Sequence, residues 1–372
     1  MIETIIKNAG NLKPVAEKVY EGERLTFEDG VALYNSGNLS LLASLALFAK
    51  HRISGDKVFF NRNFHIEPTN ICVFGCKFCS YRRKKGDNDA WDFDIPEMLD
   101  ICRKYVGKGI TEVHIVGGVH PHRDLHFYGE LIRKIKEILP DAHIKGFTAV
   151  ELDYMIRNAG YSIEHGLKIL RNYGLNSIPG GGAEIFNEDV RRTICGDKAP
   201  SHTWLQIHEA AHNAGLPSNA SMLYGHIESY EHRIEHLDRL RQLQDITGGF
   251  NAFIPLKYKN INNSMSSIGE IHTMEVMKNF AVCRLFLDNI AHIKSYWPML
   301  GKDTAQLALN FGADDVDGTI DDSTKIYSMA GSEETSPSMT VPEMLKFISS
   351  AGFTPVERDS LYNEIQNFSI ET

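Results

Sequence analysis

The sequence predicts an α/β fold, a (β/α)8 barrel with an N-terminal helical extension. Three observations lead there. From about residue 58 short apolar strand patterns alternate with longer helical ones, which means a parallel sheet with both faces covered. The strand patterns number eight, the count of a closed barrel, and 372 residues are enough for one with additions. The first 57 residues carry helical spacing only.

In that extension the helical patterns run over 12–20, 26–34 and 41–51, and Thr26-Phe-Glu-Asp-Gly30 reads as a helix start with an acidic first turn. The strand candidates are 60–67, 112–117, 143–148, 177–179, 218–223, 251–256, 292–297 and 307–311. Helices fit between them at 95–108, 127–139, 162–172, 201–214, 230–247 and 274–287. The expected domains are a helical extension over 1–57, the barrel over 58–320 and a helical segment over 321–372 packed on the barrel. A partly open barrel of six units with a C-terminal appendage is the competing arrangement.

Composition narrows the function. The net charge of −9 argues against nucleic-acid or anionic-membrane partners, which need a basic surface. The longest apolar run, 39–49, is about half of the roughly 20 residues a membrane span needs. Met1-Ile-Glu-Thr4 shows no signal or transit pattern, so the expectation is a cytoplasmic enzyme. Three of the six cysteines crowd into one short window, which favours a metal site over disulfides.

That window, Asn70-Ile-Cys-Val-Phe-Gly-Cys-Lys-Phe-Cys79, follows the first barrel strand, where catalytic loops of such barrels sit. Three thiolates at C-x3-C-x2-C spacing suit three irons of a cubane and leave the fourth iron open to another ligand. A zinc site is the plain alternative, but it takes four protein ligands, and no fourth Cys or His stands at zinc spacing. Cys102, Cys195 and Cys283 are isolated and read as packing residues.

Two glycine-rich strand ends complete the pattern. Val116-Gly-Gly118 lets backbone approach a ligand, although a glycine pair alone is also just a turn. Pro179-Gly-Gly-Gly-Ala-Glu184 puts a carboxylate on a ligand-lining loop, with Arg191 two helical turns further on. Glu184 reads as a ligand for ribose hydroxyls or an ammonium, or as a helix-start acid. Arg191 reads as a carboxylate partner or as a surface charge.

The triplet, with an aromatic residue directly before its last cysteine, resembles the signature of the radical S-adenosylmethionine superfamily, whose fold is a TIM-type barrel. The resemblance implies a [4Fe–4S] cluster on Cys72, Cys76 and Cys79 and S-adenosylmethionine chelating its open iron. An electron from a donor such as flavodoxin or ferredoxin then releases a 5′-deoxyadenosyl radical. It further implies Phe78 against the adenine and Gly117 and Gly118 beside the methionyl amino group.

The likeness extends further. Phe64-His-Ile-Glu-Pro-Thr-Asn-Ile-Cys72, His114-Ile-Val-Gly-Gly-Val-His-Pro121, Phe147-Thr-Ala-Val-Glu151, the stretch Asn219–Glu228 and the stretch His292–Gly301 resemble the aminofutalosine synthases of the futalosine route to menaquinone. Related cyclases and deazaflavin-precursor enzymes share the triplet and the Gly-Gly-Gly-Ala-Glu loop but typically differ at the second and third strand ends. The implied substrate is 3-[(1-carboxyvinyl)oxy]benzoate, a dianionic enol ether. The implied reaction adds the radical to the vinyl carbon, moves the aryl group to carbon and loses a carboxylate, giving 6-amino-6-deoxyfutalosine. Tyr81 and Asn219 join the S-adenosylmethionine candidates. His120, Thr148, His226, His292 and Lys294, all at strand ends, are the candidates for the substrate and its carboxylates. A lone His is as readily a structural residue. Lys294 stands out because a lysine within a strand needs a reason. A dehypoxanthine futalosine cyclase and a non-catalytic iron–sulfur electron carrier are the alternatives.

Overall fold

The computed structural model describes residues 2–319, 325–332 and 337–368. Four helices come first: α1 (Ile2–Lys7), α2 (Lys13–Glu21), α3 (Phe27–Asn35) and α4 (Leu39–Ser54). The start expected at Thr26 is a capping box. The Asp29 N–H donates to the Thr26 hydroxyl at 3.2 Å, and the Thr26 N–H donates to the Asp29 carboxylate at 2.9 Å. The apolar run becomes α4, which buries Leu41, Leu42, Leu45 and Ala46. Among the described residues no helix is long and apolar enough to cross a membrane.

Strands and helices then alternate. β1 (Lys57–Asn61) and β2 (Asn63–Ile66) form one interrupted first strand, followed by α5 (Ile95–Arg103), β3 (Glu112–Ile115), α6 (Leu125–Ile138), β4 (His143–Gly146), α7 (Ala149–Asn158), α8 (Ile163–Tyr173), α9 (Glu188–Cys195) and α10 (Ser201–Asn213). Next come β5 (Ser218–Tyr224), α11 (Tyr230–Thr247), β6 (Phe250–Lys257), α12 (Thr273–Phe286), β7 (His292–Ile293), α13 (Trp297–Leu300), α14 (Lys302–Ala308) and β8 (Asp315–Gly318). The chain ends in α15 (Ile326–Met329), α16 (Val341–Ser349), β9 (Thr354–Arg358) and β10 (Glu364–Asn367).

The α/β class is as expected, but the sheets do not close into one ladder. They run β10-β9-β1-β8, β2-β3-β4 and β5-β6-β7. Single parallel bridges join them: Lys145 to Ser177, Ile178 to Ser218 and Lys294 to Asp315. The expected strand at 177–179 is therefore only a pair of bridges, and the one at 292–297 is a strand only to Ile293, with a bridge at Lys294 before α13 begins at Trp297.

Two expectations fail. The run 307–311 is the end of α14 and a 3-10 turn, with Leu307 turned to solvent and Ala305, Ala308 and Leu309 packed inward. The eighth strand is Asp315-Val-Asp-Gly318, which looks like a loop in sequence because its inward side chains are carboxylates. Asp315 meets Arg358 at 2.6 Å and Asp317 meets Lys294 at 2.5 Å. The C-terminal segment is also not purely helical. β9 lies parallel to β1 on the side away from β8, and its short charged sequence hides the strand because Glu357 and Arg358 are buried in ion pairs. Residues 320–324, 333–336 and 369–372 of that segment lie outside the described residues.

Candidate active site

The cysteine loop leaves the C-terminal end of β2, the end at which this architecture gathers functional loops. Side chains brace it from below: the Thr69 hydroxyl donates to the Trp91 carbonyl at 2.7 Å and accepts from the Ile71 N–H at 3.1 Å. The loop after β3 and the end of α9 brace it from the sides, through Val73 N–H to Val119 O at 3.0 Å and Lys77 N–H to Ile194 O at 2.8 Å. Gly118 has to be glycine here, since a Cβ would sit 2.5 Å from the Ile71 carbonyl oxygen.

Cys72, Cys76 and Cys79 are free thiols lining one cavity of about 150 Å³ with Phe78, Gly117, Gly118, Glu151 and Lys198. Burial pushes the Cys76 thiol up to about 12 and raises Cys72 as well. Among the described residues no three His, Cys, Asp or Glu side chains converge on a single-ion site. A structural zinc takes four protein ligands, whereas in a cubane each thiolate takes a different iron. Three sulfurs, a glycine-lined wall and no further cysteine on the cavity are a donor set that suits a [4Fe–4S] cluster with one open iron.

Two more cavities adjoin this one. A space of about 140 Å³ is lined by Phe78, Cys79, Tyr81, Glu184, Tyr258 and Tyr327, among others. The barrel interior, about 250 Å³, is reached past Thr148, Gly182 and Ile326, which line both it and the cysteine cavity. A larger groove between α8 and α10 carries none of the candidates.

Glu184 borders the interior and the second cavity, in the left-handed region at φ 49°. Among the described residues Phe147, Asn262, Asp317 and Tyr362 share this region, and strain of this kind persists only where neighbours over-determine it. Here they do. The Glu184 carbonyl accepts from Leu223 N–H at 2.7 Å, and its carboxylate accepts from Lys198 at 2.5 Å. The buried Arg191 guanidinium donates to the carbonyls of Ala183 at 2.5 Å, Ile185 at 3.3 Å and Ala199 at 2.7 Å. Arg191 is therefore neither a surface charge nor a cavity-facing ligand: it ties the Glu184 loop to the loop bearing Lys198.

The remaining candidates divide. Phe78, Tyr81, Gly117 and Gly118 line the cysteine cavity, and Asn219 and Lys294 line the interior. Thr148 lines both, while its hydroxyl caps α7 by accepting from the Glu151 N–H. Three histidines stand elsewhere. His120 pairs with Asp92 at 3.2 Å outside the cavities. His226 is held by the Leu223 carbonyl and Glu228. His292 opens β7 at the opposite end, bonded to Asp314 at 3.0 Å and stacked on Tyr362. A strand's first residue faces the barrel floor, which explains His292; the other two have local acceptors that claim their rings.

Sequence reasoning missed Lys198, Glu151 and an interior set of His65, Glu112, His114, Lys145 and Asp317. Burial works against the Lys198 charge, but Cys76 and Glu184 outweigh it and hold its pKa well above normal. Burial pushes Glu151 up to about 7 against bonds from Thr148 and the Gly117 N–H. A signal for the interior set was present: polar residues at alternate positions in β2, β3 and β4, the inward face of each strand.

Residues 66–240 match the Radical SAM superfamily and residues 247–369 match the CofH/MqnC C-terminal region. An aminodeoxyfutalosine synthase of Thermus thermophilus is 44% identical over 95% of this chain and 96% of its own. One from Streptomyces coelicolor is 41% identical over 97% and 96%. The chain belongs to the aminodeoxyfutalosine synthase family of radical S-adenosylmethionine enzymes. A cyclic dehypoxanthine futalosine synthase of Streptomyces coelicolor is more distant, at 34% over 95% of this chain and 89% of its own. In fold the chain is similar to methylornithine synthase, with a TM-score of 0.73 at 19% identity over 91% of this chain and 96% of that one. Membership of the family implies a [4Fe–4S] cluster and S-adenosylmethionine.

Proposed function

We propose that this chain joins the adenosyl group of S-adenosylmethionine to 3-[(1-carboxyvinyl)oxy]benzoate, with aryl migration and loss of a carboxylate, to give 6-amino-6-deoxyfutalosine. The observation that carries this reading is the direct adjoining of the cysteine cavity to a charged barrel interior across Thr148 and Gly182. Two relatives above 40% identity bear the name aminodeoxyfutalosine synthase.

Cys72, Cys76 and Cys79 would hold the cluster, which with S-adenosylmethionine supplies a 5′-deoxyadenosyl radical. The protein's own work is to bind, orient and exclude. Phe78 and Tyr258 offer flat faces for the nucleoside, and the Glu184–Lys198 pair offers partners for an ammonium and a carboxylate. Ile254, Leu256 and Ile326 give the interior an apolar wall that keeps water from a reactive carbon. Lys145 and Lys294 also line that interior, each paired with a carboxylate of the wall, and a dianion's charges cannot be buried there unpaired. The eight parallel segments act as one (β/α)8 barrel around this space, completed below by Arg358 from β9. The cysteine loop reaches the surface at Val73 and Gly75, where a small carrier such as flavodoxin or ferredoxin can deliver an electron.

The test is anaerobic incubation of the reconstituted enzyme with S-adenosylmethionine, dithionite and the enol ether. Mass analysis should show the adenosyl adduct less one carboxylate. A product formed only from dehypoxanthine futalosine would transfer the chain to the cyclases.

A further inference from the structure

The interior cavity holds two lysines, but neither has charge to spare. Lys145 meets Glu112 at 2.5 Å and Lys294 meets Asp317 at 2.5 Å. Asp315, 3.8 Å from Lys294, is itself matched by Arg358 at 2.6 Å. Each cation thus has its own carboxylate, and the walls of the cavity are close to neutral. A dianion entering a near-neutral buried space needs positive charge from somewhere.

Strand register shows where. His65 on β2 pairs with His114 on β3, and His114 pairs with Lys145 on β4, so the three side chains stand abreast on one inward face. The two imidazoles meet edge to face at 4.5 Å, and both line the cavity. The His114 Nε2 atom is shielded and has no hydrogen-bond partner among the described residues. Around the pair stand Glu112 on the same strand as His114, Lys145 on β4, Lys294 just after β7 and Asp317 on β8, with the Tyr296 and Tyr327 hydroxyl-bearing rings on the same cavity.

We propose that His65 and His114 form the carboxylate receptor of the barrel interior, taking up a proton from solvent as an aryl or vinyl carboxylate binds. This rests on the reading that the substrate is a dianionic enol ether. Burial holds both rings neutral in the free protein, His65 at about 4 and His114 well below its ordinary value. An anion against either ring reverses that preference and creates a charge-assisted bond. The balance is simple: carboxylate, neutral imidazole and one solvent proton give an imidazolium–carboxylate pair. Two imidazoles this close cannot both be charged, so the pair takes a single proton. His65 and His114 bind the substrate carboxylate here and carry out no bond-making step.

The test is isothermal titration calorimetry of the reconstituted, oxidised holoenzyme with the enol ether. Reductant is left out, so nothing turns over. Repeating the titration near neutral pH in buffers of different ionisation enthalpy counts protons. About one proton should be taken up per molecule bound. In His114→Gln and His65→Gln, each checked for fold and iron content, uptake should fall and affinity weaken by roughly tenfold or more. An analogue with the ring carboxylate replaced by a neutral amide should bind the wild type with less uptake. Binding with no proton uptake in the wild type, or uptake unchanged in both variants, overturns the receptor and leaves the proposed substrate standing. No binding of the enol ether at all overturns the substrate, and the receptor with it.

Discussion

The Lys198 ammonium lies 2.5 Å from the Glu184 carboxylate and 5.3 Å over the Phe78 ring. Three residues from three loops, one of them directly before Cys79, therefore meet where the cysteine cavity adjoins the second cavity.

This geometry separates binding from stability. Glu184→Gln should weaken S-adenosylmethionine binding about tenfold to a hundredfold, as expected for one lost charge-assisted bond, with a smaller effect on the enol ether. Lys198→Met strands a mostly buried carboxylate and should cost on the order of 3 kcal/mol by denaturant titration. The double variant should recover part of that stability and none of the affinity. Unchanged affinity in Glu184→Gln would remove Glu184 from the site.

The cysteines should sort into two groups of three. Ala at Cys72, Cys76 or Cys79 should abolish iron incorporation, whereas Ala at Cys102, Cys195 or Cys283 should leave about four irons per chain after reconstitution. A full cluster in Cys76→Ala would contradict the ligand assignment.

Gly118→Ala tests how the loop is seated. The added Cβ would press on the Ile71 carbonyl, which is backbone and cannot swing away. Overpacking of this kind costs about 1–3 kcal/mol. Far-ultraviolet dichroism should be unchanged while iron content falls. Normal iron content would mean that the loop tolerates the shift.

Acid should unfold the chain early. Burial lowers His65, His143 and His212 to about 4 from an ordinary 6.5. Because the unfolded chain binds these protons first, the stability they contribute is full above about pH 6.5 and is lost as pH falls through about 4. The thermal midpoint should drop steeply across that window. His212→Gln should flatten the slope, since burial is what disfavours the charged form of this ring. A midpoint independent of pH between 6.5 and 4 would contradict the burial of these rings.

Much of this was legible in the sequence because local patterns and fold agree. Thr26 caps its helix as its acidic follower suggests, and the cysteine triplet sits on the loop its strand predicts. What stayed hidden depends on distant partners. Asp315-Val-Asp-Gly318 is a strand only because Lys294, just after β7, and Arg358 on β9 neutralise it. Arg191 clamps carbonyls, which no spacing rule announces. His292 looked like a strand-end ligand because the sequence does not say which end of a two-residue strand faces the site. Lys198 follows α9 in a loop without a motif, and only the fold carries it to Glu184.

The central claim is that the adenosyl carbon becomes part of the product, and S-adenosylmethionine labelled in its adenosyl portion tests it most directly. With the enol ether and reductant present under anaerobic conditions, the label should appear in a larger nucleoside, accompanied by carbon dioxide or bicarbonate. Label recovered almost entirely as free 5′-deoxyadenosine would contradict the account, because it would mean that the radical abstracts hydrogen rather than adds.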